Sequence, residues 1–239
     1  MHRDSVELLN NYASTMSRPG SNRPKKRRPA VTISQESGAG ALTVAHLVAQ
    51  RLDLDYPGDP PCSWAVFDRN LLTKTLEDHR LSTKIEAFMP EGSHFPLSEA
   101  FKFLLGLHPA SWTLREYATD TIRQLTTNGN VILAGLAGAI ITARLEYVLH
   151  VRLVAPFEFR VENYALSHGI SVQQGIQLVR ADDLAEHHYA RRYFNTNVSN
   201  PLHYDLLVNT GRTGFERAAR LICSALQDLI VKGQLAAKS

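Results

Sequence analysis

The residues best suited to chemistry lie in one short stretch, VTISQESGAGALTV (31–44). An apolar run, then small residues, then apolar residues at helical spacing predict a strand, a turn and a helix. The first N–H groups of such a helix lack helical partners and carry partial positive charge, so they can bind phosphate oxygens. The predicted phosphate-binding turn consists of Ser37, Gly38, Ala39 and Gly40. Thr43 follows in the first helical turn, where its hydroxyl could reach a phosphate or Mg²⁺.

The turn departs from the full phosphate-loop pattern G-x-x-x-x-G-K-[ST]. Ala41 follows Gly40 and stands where that pattern places its lysine. The lysine normally supplies positive charge to the phosphates, so its loss weakens the case for phosphoryl transfer. Two interpretations of the glycine-rich turn stay open: it binds phosphate, or it only lets the strand and the helix pack closely.

A second candidate pair, Asp68 and Arg69, follows the apolar run WAVF. Ligands bind at the carboxyl ends of strands in open α/β sheets, which would place this pair at a binding site. The functional interpretation is metal or acceptor binding. The structural interpretation is that Asp68 caps a helix and Arg69 lies on the surface.

A third candidate segment, EHHYARRYF (186–194), contains two histidines and two arginines in a helical pattern. Arg191 and Arg192 could face a phosphate, or the helix could lie in solvent or contact another subunit. Adjacent histidines do not face one ligand on a helix, and neither cysteine of the chain lies in a zinc-type pair. We therefore expect no protein-held metal centre.

The elements that position these residues alternate along the chain. Helical segments separate the runs that predict strands, at 30–34, 63–68, 130–135, 146–155 and 203–210. Strands separated by helices predict a parallel sheet covered by helices on both faces. The expected fold is therefore a three-layer α/β domain with about five parallel strands, spanning residues 31–239.

Residues 1–30 differ in composition from the rest of the chain. They contain seven Lys/Arg and two Asp/Glu, with a basic run at 25–28. We expect a flexible basic arm, for which nucleic acid or an anionic surface is a weaker alternative to simple solvation. The polar start and the absence of a long apolar run favour a cytoplasmic protein without a membrane partner.

Five segments in order resemble the cytidylate kinase-like family. They are VTISQESGAG (31–40), VFDRNLL (66–72), GNVILAGLAGA (129–139), VLHVRLVAPFEFRVE (148–162) and HYDLLVNTGR (203–212). The resemblance implies a nucleoside monophosphate kinase-like P-loop fold with a helical lid at about 170–194. It also implies transfer of a phosphoryl group from ATP, with Mg²⁺, to CMP or a related nucleotide. Catalytic roles would fall to Asp68, Arg191 and Arg192, and acceptor binding to Arg69.

Three departures from the family pattern remove positive charge. Ala41 replaces the loop cation, Leu136 replaces an arginine after the third strand, and Glu186 replaces a lid arginine. One lost cation of this kind can cost about 10³-fold in rate. The arginines available as substitutes are Arg69, Arg144, Arg191 and Arg192. Two functions therefore stay open: a phosphotransferase that uses substitute arginines, or an inactive relative that binds a nucleotide or regulates a partner, with a homo-oligomer possible in either case.

Overall fold

The computed structural model describes residues 28–55, 63–69, 71 and 112–236, together with residues 7, 9 and 11. Its sheet has five parallel strands, which confirms the predicted fold class. The strands are β1 Ala30–Gln35, β2 Ala65–Phe67, β3 Val131–Ala134, β4 Val148–Val154 and β5 Leu206–Asn209. Each lies within a residue of, or inside, the segment that the sequence predicts. Their order across the sheet is β2-β3-β1-β4-β5, so β1 is central.

Helices connect the strands. They are α1 Ala41–Asp55, α2 Trp112–Asn128, α3 Gly138–Ile141, α4 Phe157–His168, α5 Val172–Phe194, α6 Thr210–Thr213 and α7 Phe215–Ala236. A 3₁₀ turn, Pro201–His203, precedes β5. The helix predicted at 97–107 lies outside the described residues, as does most of the one predicted at 68–79. Among the helices that the structure describes, none is both long and apolar enough to cross a membrane.

The sheet separates two apolar cores because successive strand residues point to opposite faces. On one face, Val31 and Ile33 pack with apolar residues of α1 and α7, including Val48 and Ile222. On the other face, strand residues pack with α2 and with aromatic residues at the end of α5. Both faces of the sheet are therefore covered by helices. A ligand-binding site is then expected at the ends of the strands.

Leu9 is one of the few described residues in the segment predicted to be a flexible arm. Its side chain is fully buried, in the cluster that also contains Phe67, Leu71 and Ile122. The net charge of the segment did not reveal this contact, because the burial of one apolar side chain does not depend on the charge of the whole segment. Of the basic run at 25–28, the structure describes only Arg28.

The turn between β1 and α1 is held by close packing against α4. Gly38 has a φ of +84°, and a Cβ at this position would overlap the carbonyl oxygen of Arg160. Gly169, which ends α4, also has a positive φ, of +63°, but nothing lies within 4 Å of a Cβ placed there. The two glycines thus share a left-handed backbone and differ in the space around them.

Replacing each glycine with alanine separates these two effects. We expect Gly169→Ala to lower the free energy of unfolding by about 1 kcal/mol, the cost of a left-handed non-glycine residue. Gly38→Ala should cost about 2 kcal/mol more, because the backbone of Arg160 must also move. Urea denaturation of both variants measures the difference; equal losses would show that the turn does not pack against α4 in solution.

Candidate functional site

The predicted phosphate-binding turn lies at the carboxyl end of the central strand. We call residues 36–40 the phosphate loop. Neighbouring helices hold its backbone: Asn163 Nδ2 donates to the carbonyl of Gly38 over 2.7 Å, and Thr210 Oγ1 donates to the carbonyl of Ala39 over 2.9 Å. The amide of Ala39 donates to the carbonyl of Glu36 within the loop. The loop is therefore fastened from α4 and α6 in one conformation.

Side-chain oxygens of the protein accept hydrogen bonds from amides at both ends of the loop. The amide of Ser37 donates to Asp183 Oδ1 over 2.8 Å, and the amide of Ala41 donates to Gln35 Oε1 over 2.7 Å. Ser37 Oγ also donates to Asp182 Oδ2, over 3.2 Å. The lid helix α5 thus places a carboxylate where the sequence predicts a phosphate.

Arg160, on α4, joins this carboxylate to the loop. Its Nη1 donates to Asp183 Oδ2 over 2.7 Å and to the carbonyl of Ser37 over 3.0 Å. Its Nε donates to the carbonyl of Ala155 and lies 3.5 Å from Glu36 Oε2. The residue is 8% exposed, so its guanidinium relies on protein groups for its hydrogen bonds and counter-charges. Asp183 is therefore held by the amide of Ser37 and by a buried guanidinium.

Arg152, on β4, forms a second pair with the lid. The residue is 3% exposed, and its Nη2 lies 3.7 Å from Glu186 Oε2. Its Nη1 donates to Ser34 Oγ over 2.7 Å and to the hydroxyl of Tyr204 over 3.3 Å. Ser34 Oγ in turn donates to Glu186 Oε1 over 3.4 Å. Arg152 and Arg160 both face the lid from the carboxyl end of the sheet.

The two lid carboxylates lie on the inner face of α5. Asp183 and Glu186 share this face with Val179 and Ala190, which are buried, because residues spaced by three or four align on a helix. Most of the residues between 180 and 188 are otherwise exposed. The middle of the lid therefore contacts the domain mainly through charged groups.

Carboxylates outnumber guanidinium groups at the loop. Glu36 and Asp183 lie against Arg160, Glu186 lies against Arg152, and Asp182 accepts a hydrogen bond from Ser37 Oγ. Burial raises the pKa of Glu186 to about 7, and the charges of Asp183 and Glu36 act in the same direction. Arg152 and the hydrogen bond from Ser34 oppose this rise. Burial is thus the main reason that the pKa of Glu186 lies near neutral pH, and the neighbouring carboxylates add to it.

The structure brings some of the predicted site residues together. Ser37, Gly38, Ala39 and Gly40 form the loop, and Thr43 lies half-buried in the first turn of α1. Ala41, at the lysine position, has its side chain buried in the apolar core. Asp68 is 4% exposed, and its Oδ1 accepts a hydrogen bond from the amide of Leu71 over 2.9 Å. That bond matches the helix-cap interpretation of Asp68.

The arginines predicted as substitutes lie in different surroundings from one another. Arg191 and Arg192 are exposed, and the guanidinium of Arg192 lies over the ring of Tyr193. Arg69 is exposed and close enough to Tyr164 and Tyr189 to lower their pKa values against the effect of burial. Arg144 precedes β4, so it lies at the amino end of the sheet, opposite the phosphate loop. The expectation that Arg144 could serve the loop is therefore wrong.

The turn after β3, where the resemblance implies an arginine, has a left-handed backbone at three successive residues. Gly135, Leu136 and Ala137 all have positive φ, of 81°, 60° and 54°. The side chain of Leu136 packs against the second apolar cluster. A leucine in this conformation is unfavourable by about 1–2 kcal/mol, so the turn is maintained by its surroundings. The position contributes apolar contact and no charge.

The residues that sequence reasoning missed are Arg152, Arg160 and Asp183. A signal for Arg152 was present, because an arginine inside the apolar strand VLHVRLV must find a buried partner. The sequence also contained a signal for the partners of these arginines, because Asp183 and Glu186 are spaced to lie on one face of the lid helix. Pairing them required the tertiary arrangement of β4, α4 and α5, which the sequence alone does not supply.

In this arrangement the protein itself occupies part of the loop that a nucleotide polyphosphate would use. The amides of Ser37 and Ala41 already donate to protein oxygens, and the surrounding carboxylates would repel phosphate. Among the residues that the structure describes, no group of three or more His, Cys, Asp or Glu side chains could hold a metal ion. ATP and Mg²⁺ therefore stay expectations from the family resemblance.

The raised pKa of Glu186 predicts a specific dependence of stability on pH. Because the folded protein binds this proton more tightly than the unfolded chain, the associated stability is present below about pH 4.5 and is lost as pH rises through about 7. Glu186→Gln imitates the protonated side chain at every pH. We expect the variant to gain stability relative to the native chain as pH rises from 5 to 8.

Urea denaturation of both proteins across this pH range measures the effect. Taking the difference between them cancels the titration of groups that they share. A difference in unfolding free energy that stays constant from pH 5 to 8 would contradict the assignment of the proton to Glu186.

The fold of this chain is similar to that of solved structures. A crystal structure of an uncharacterized protein from Eubacterium ventriosum has a TM-score of 0.60 and 14% identity, covering 84% of this chain and 99% of that one. Shikimate kinase from Acinetobacter baumannii, solved with shikimate, has a TM-score of 0.44 and 15% identity, covering 85% and 95%. The first of these supports the fold alone, since its identity is low.

Sequence comparison gives one partial relative and one family. Uronate isomerase from Corynebacterium glutamicum is 27% identical over 104 residues, which are 44% of this chain and 20% of the isomerase. This match spans about a fifth of the isomerase. The model of the cytidylate kinase-like family matches residues 30–212, from β1 to α6. That match contains the phosphate loop, both buried arginines and the lid, and the chain belongs to the cytidylate kinase-like family.

Proposed function

We propose that this chain is a catalytically inactive member of its family, which uses the kinase fold as a regulatory, nucleotide-responsive binding protein. The observation that carries the proposal is the carboxylate of Asp183 on the amide of Ser37 and the guanidinium of Arg160. Phosphoryl transfer needs cations around the transferred group to neutralise its charge. Here carboxylates surround the place that the group would take.

The departures at three cation positions support the same conclusion. Ala41 and Leu136 have their side chains in apolar clusters, and Glu186 is an acid that faces Arg152. A change in lid position could move Glu186 away, but it would not supply charge at the other two positions. Positive charge is therefore missing at two positions outside the lid, Ala41 and Leu136, as well as at Glu186 within it.

Phosphotransferase activity is the second candidate, and one observation favours it. Arg152 and Arg160 are buried beside the loop, so two guanidinium groups would face a ligand if the lid carboxylates were absent. ATP would then be the donor, with Mg²⁺, and CMP or a related nucleoside monophosphate the acceptor. In this alternative Arg152 and Arg160 replace the arginines predicted from the sequence.

A turnover assay separates the two candidates. Purified protein is incubated with ATP, Mg²⁺ and each nucleoside monophosphate, with an active cytidylate kinase as positive control. We expect no diphosphate product above the rate without protein, because the positions of the transition-state cations are apolar or acidic. Product that forms above background and disappears in Arg160→Met would overturn the proposal and support the second candidate.

A further inference from the structure

The contacts of Asp183 reproduce those of a bound oxyanion. One carboxylate oxygen accepts from the amide of Ser37 over 2.8 Å, and the other accepts from Arg160 over 2.7 Å. A backbone amide of a phosphate loop and a guanidinium are also the donors that hold phosphate oxygens. Asp183 and an external phosphate therefore need the same hydrogen-bond donors and cannot occupy them together.

Glu186 extends this contact to the second guanidinium. It lies 3.7 Å from Arg152 and accepts from Ser34, which precedes the loop on β1. When both lid carboxylates are in place, both buried arginines are paired with the lid. Displacing the lid would leave Glu36 as the neighbouring carboxylate of the loop itself, so the net charge there would change from negative to positive.

The lid is attached in a way that makes such displacement local. Its amino-terminal end packs on α4 through Gly175, and its carboxyl-terminal end packs on the second apolar cluster through Tyr189, Tyr193 and Phe194. Between these anchors, Asp182, Asp183 and Glu186 supply the contacts with the loop and β4, whereas their neighbours are largely exposed. Charged contacts of this kind can be exchanged for contacts with water or with another anion.

We propose that Asp183 and Glu186 are a built-in competitor for the phosphate loop, so that a ligand with a terminal phosphate enters only by lifting the lid. Ligand binding would then open the lid, the reverse of the closure that the family resemblance implies. The inference rests on the proposed function in one respect, since it treats the loop as a binding site and not as a reaction centre. A tethered competitor acts at an effective concentration of roughly millimolar or more, so ligand binding to the native chain is weak.

The test compares the native chain with Asp183→Asn/Glu186→Gln, which keeps the shape of both side chains and removes their charge. Glu162→Gln/Asp228→Asn is the control, because it removes two negative charges from exposed positions outside the cluster. Calorimetric titration with pyrophosphate, inorganic phosphate, ATP and CMP measures affinity. We expect the lid variant to bind pyrophosphate or ATP at least 10-fold more tightly than the native chain and the control.

Comparing the gains in affinity for the four ligands also identifies which chemical group the loop recognises. Equal gains for pyrophosphate and ATP assign the site to the phosphate groups, and a larger gain for ATP adds a contribution from the nucleoside. No gain over the control for any of the four ligands would overturn the proposal.

Hydrogen exchange on the native chain provides a test that does not depend on a variant. At saturating pyrophosphate, amides of α5 between residues 180 and 188 should exchange faster than without ligand. Slower exchange there would mean that the ligand closes the lid and would overturn the proposal. If the lid variant instead makes diphosphate from ATP and a monophosphate, the proposed inactivity fails while the competition between lid and phosphate is supported.

Discussion

The buried guanidinium of Arg160 is the constraint on which the arrangement of the site depends. A charge taken out of water must be paired and hydrogen-bonded, or the fold loses several kcal/mol. Arg160 meets this requirement with the carbonyls of Ala155 and Ser37 and with the carboxylates of Asp183 and Glu36. One side chain thus fixes the phosphate loop, the start of α4 and the middle of the lid relative to one another.

The same chemistry explains how a phosphate-binding turn persists with its ligand position filled. The strand, the glycine turn and the helix still present amides that require an acceptor, and Asp183 and Gln35 supply one at each end. A carboxylate satisfies those donors but cannot be transferred, and it carries negative charge into the place where a reaction would need positive charge. A kinase-like fold can therefore satisfy donors of its phosphate loop with its own side chains, without a bound ligand.

The sequence was sufficient to predict the layers, the parallel strands and the position of the loop, because period-2 and helical patterns and the glycine turn are local signals. It was insufficient for the site. Arg191 and Arg192 look suitable on a helical projection, yet they lie on the exposed side of α5. The side chains that face the loop, Arg152 and Arg160, are adjacent to it only after β4 has paired with β1 and α4 has packed on the turn. Such contacts depend on residues more than a hundred positions apart, which no local pattern encodes.

The most direct measurement of the central claim is the exchange rate of the Ser37 amide proton, followed by NMR without any ligand. The account predicts that this proton is protected in the native chain and that its exchange accelerates at least 10-fold in Asp183→Ala, while the amide of Ala39, bonded to Glu36 within the loop, changes little. An unprotected Ser37 amide in the native chain, or one whose exchange is the same in Asp183→Ala, would contradict the claim that the lid occupies the phosphate loop.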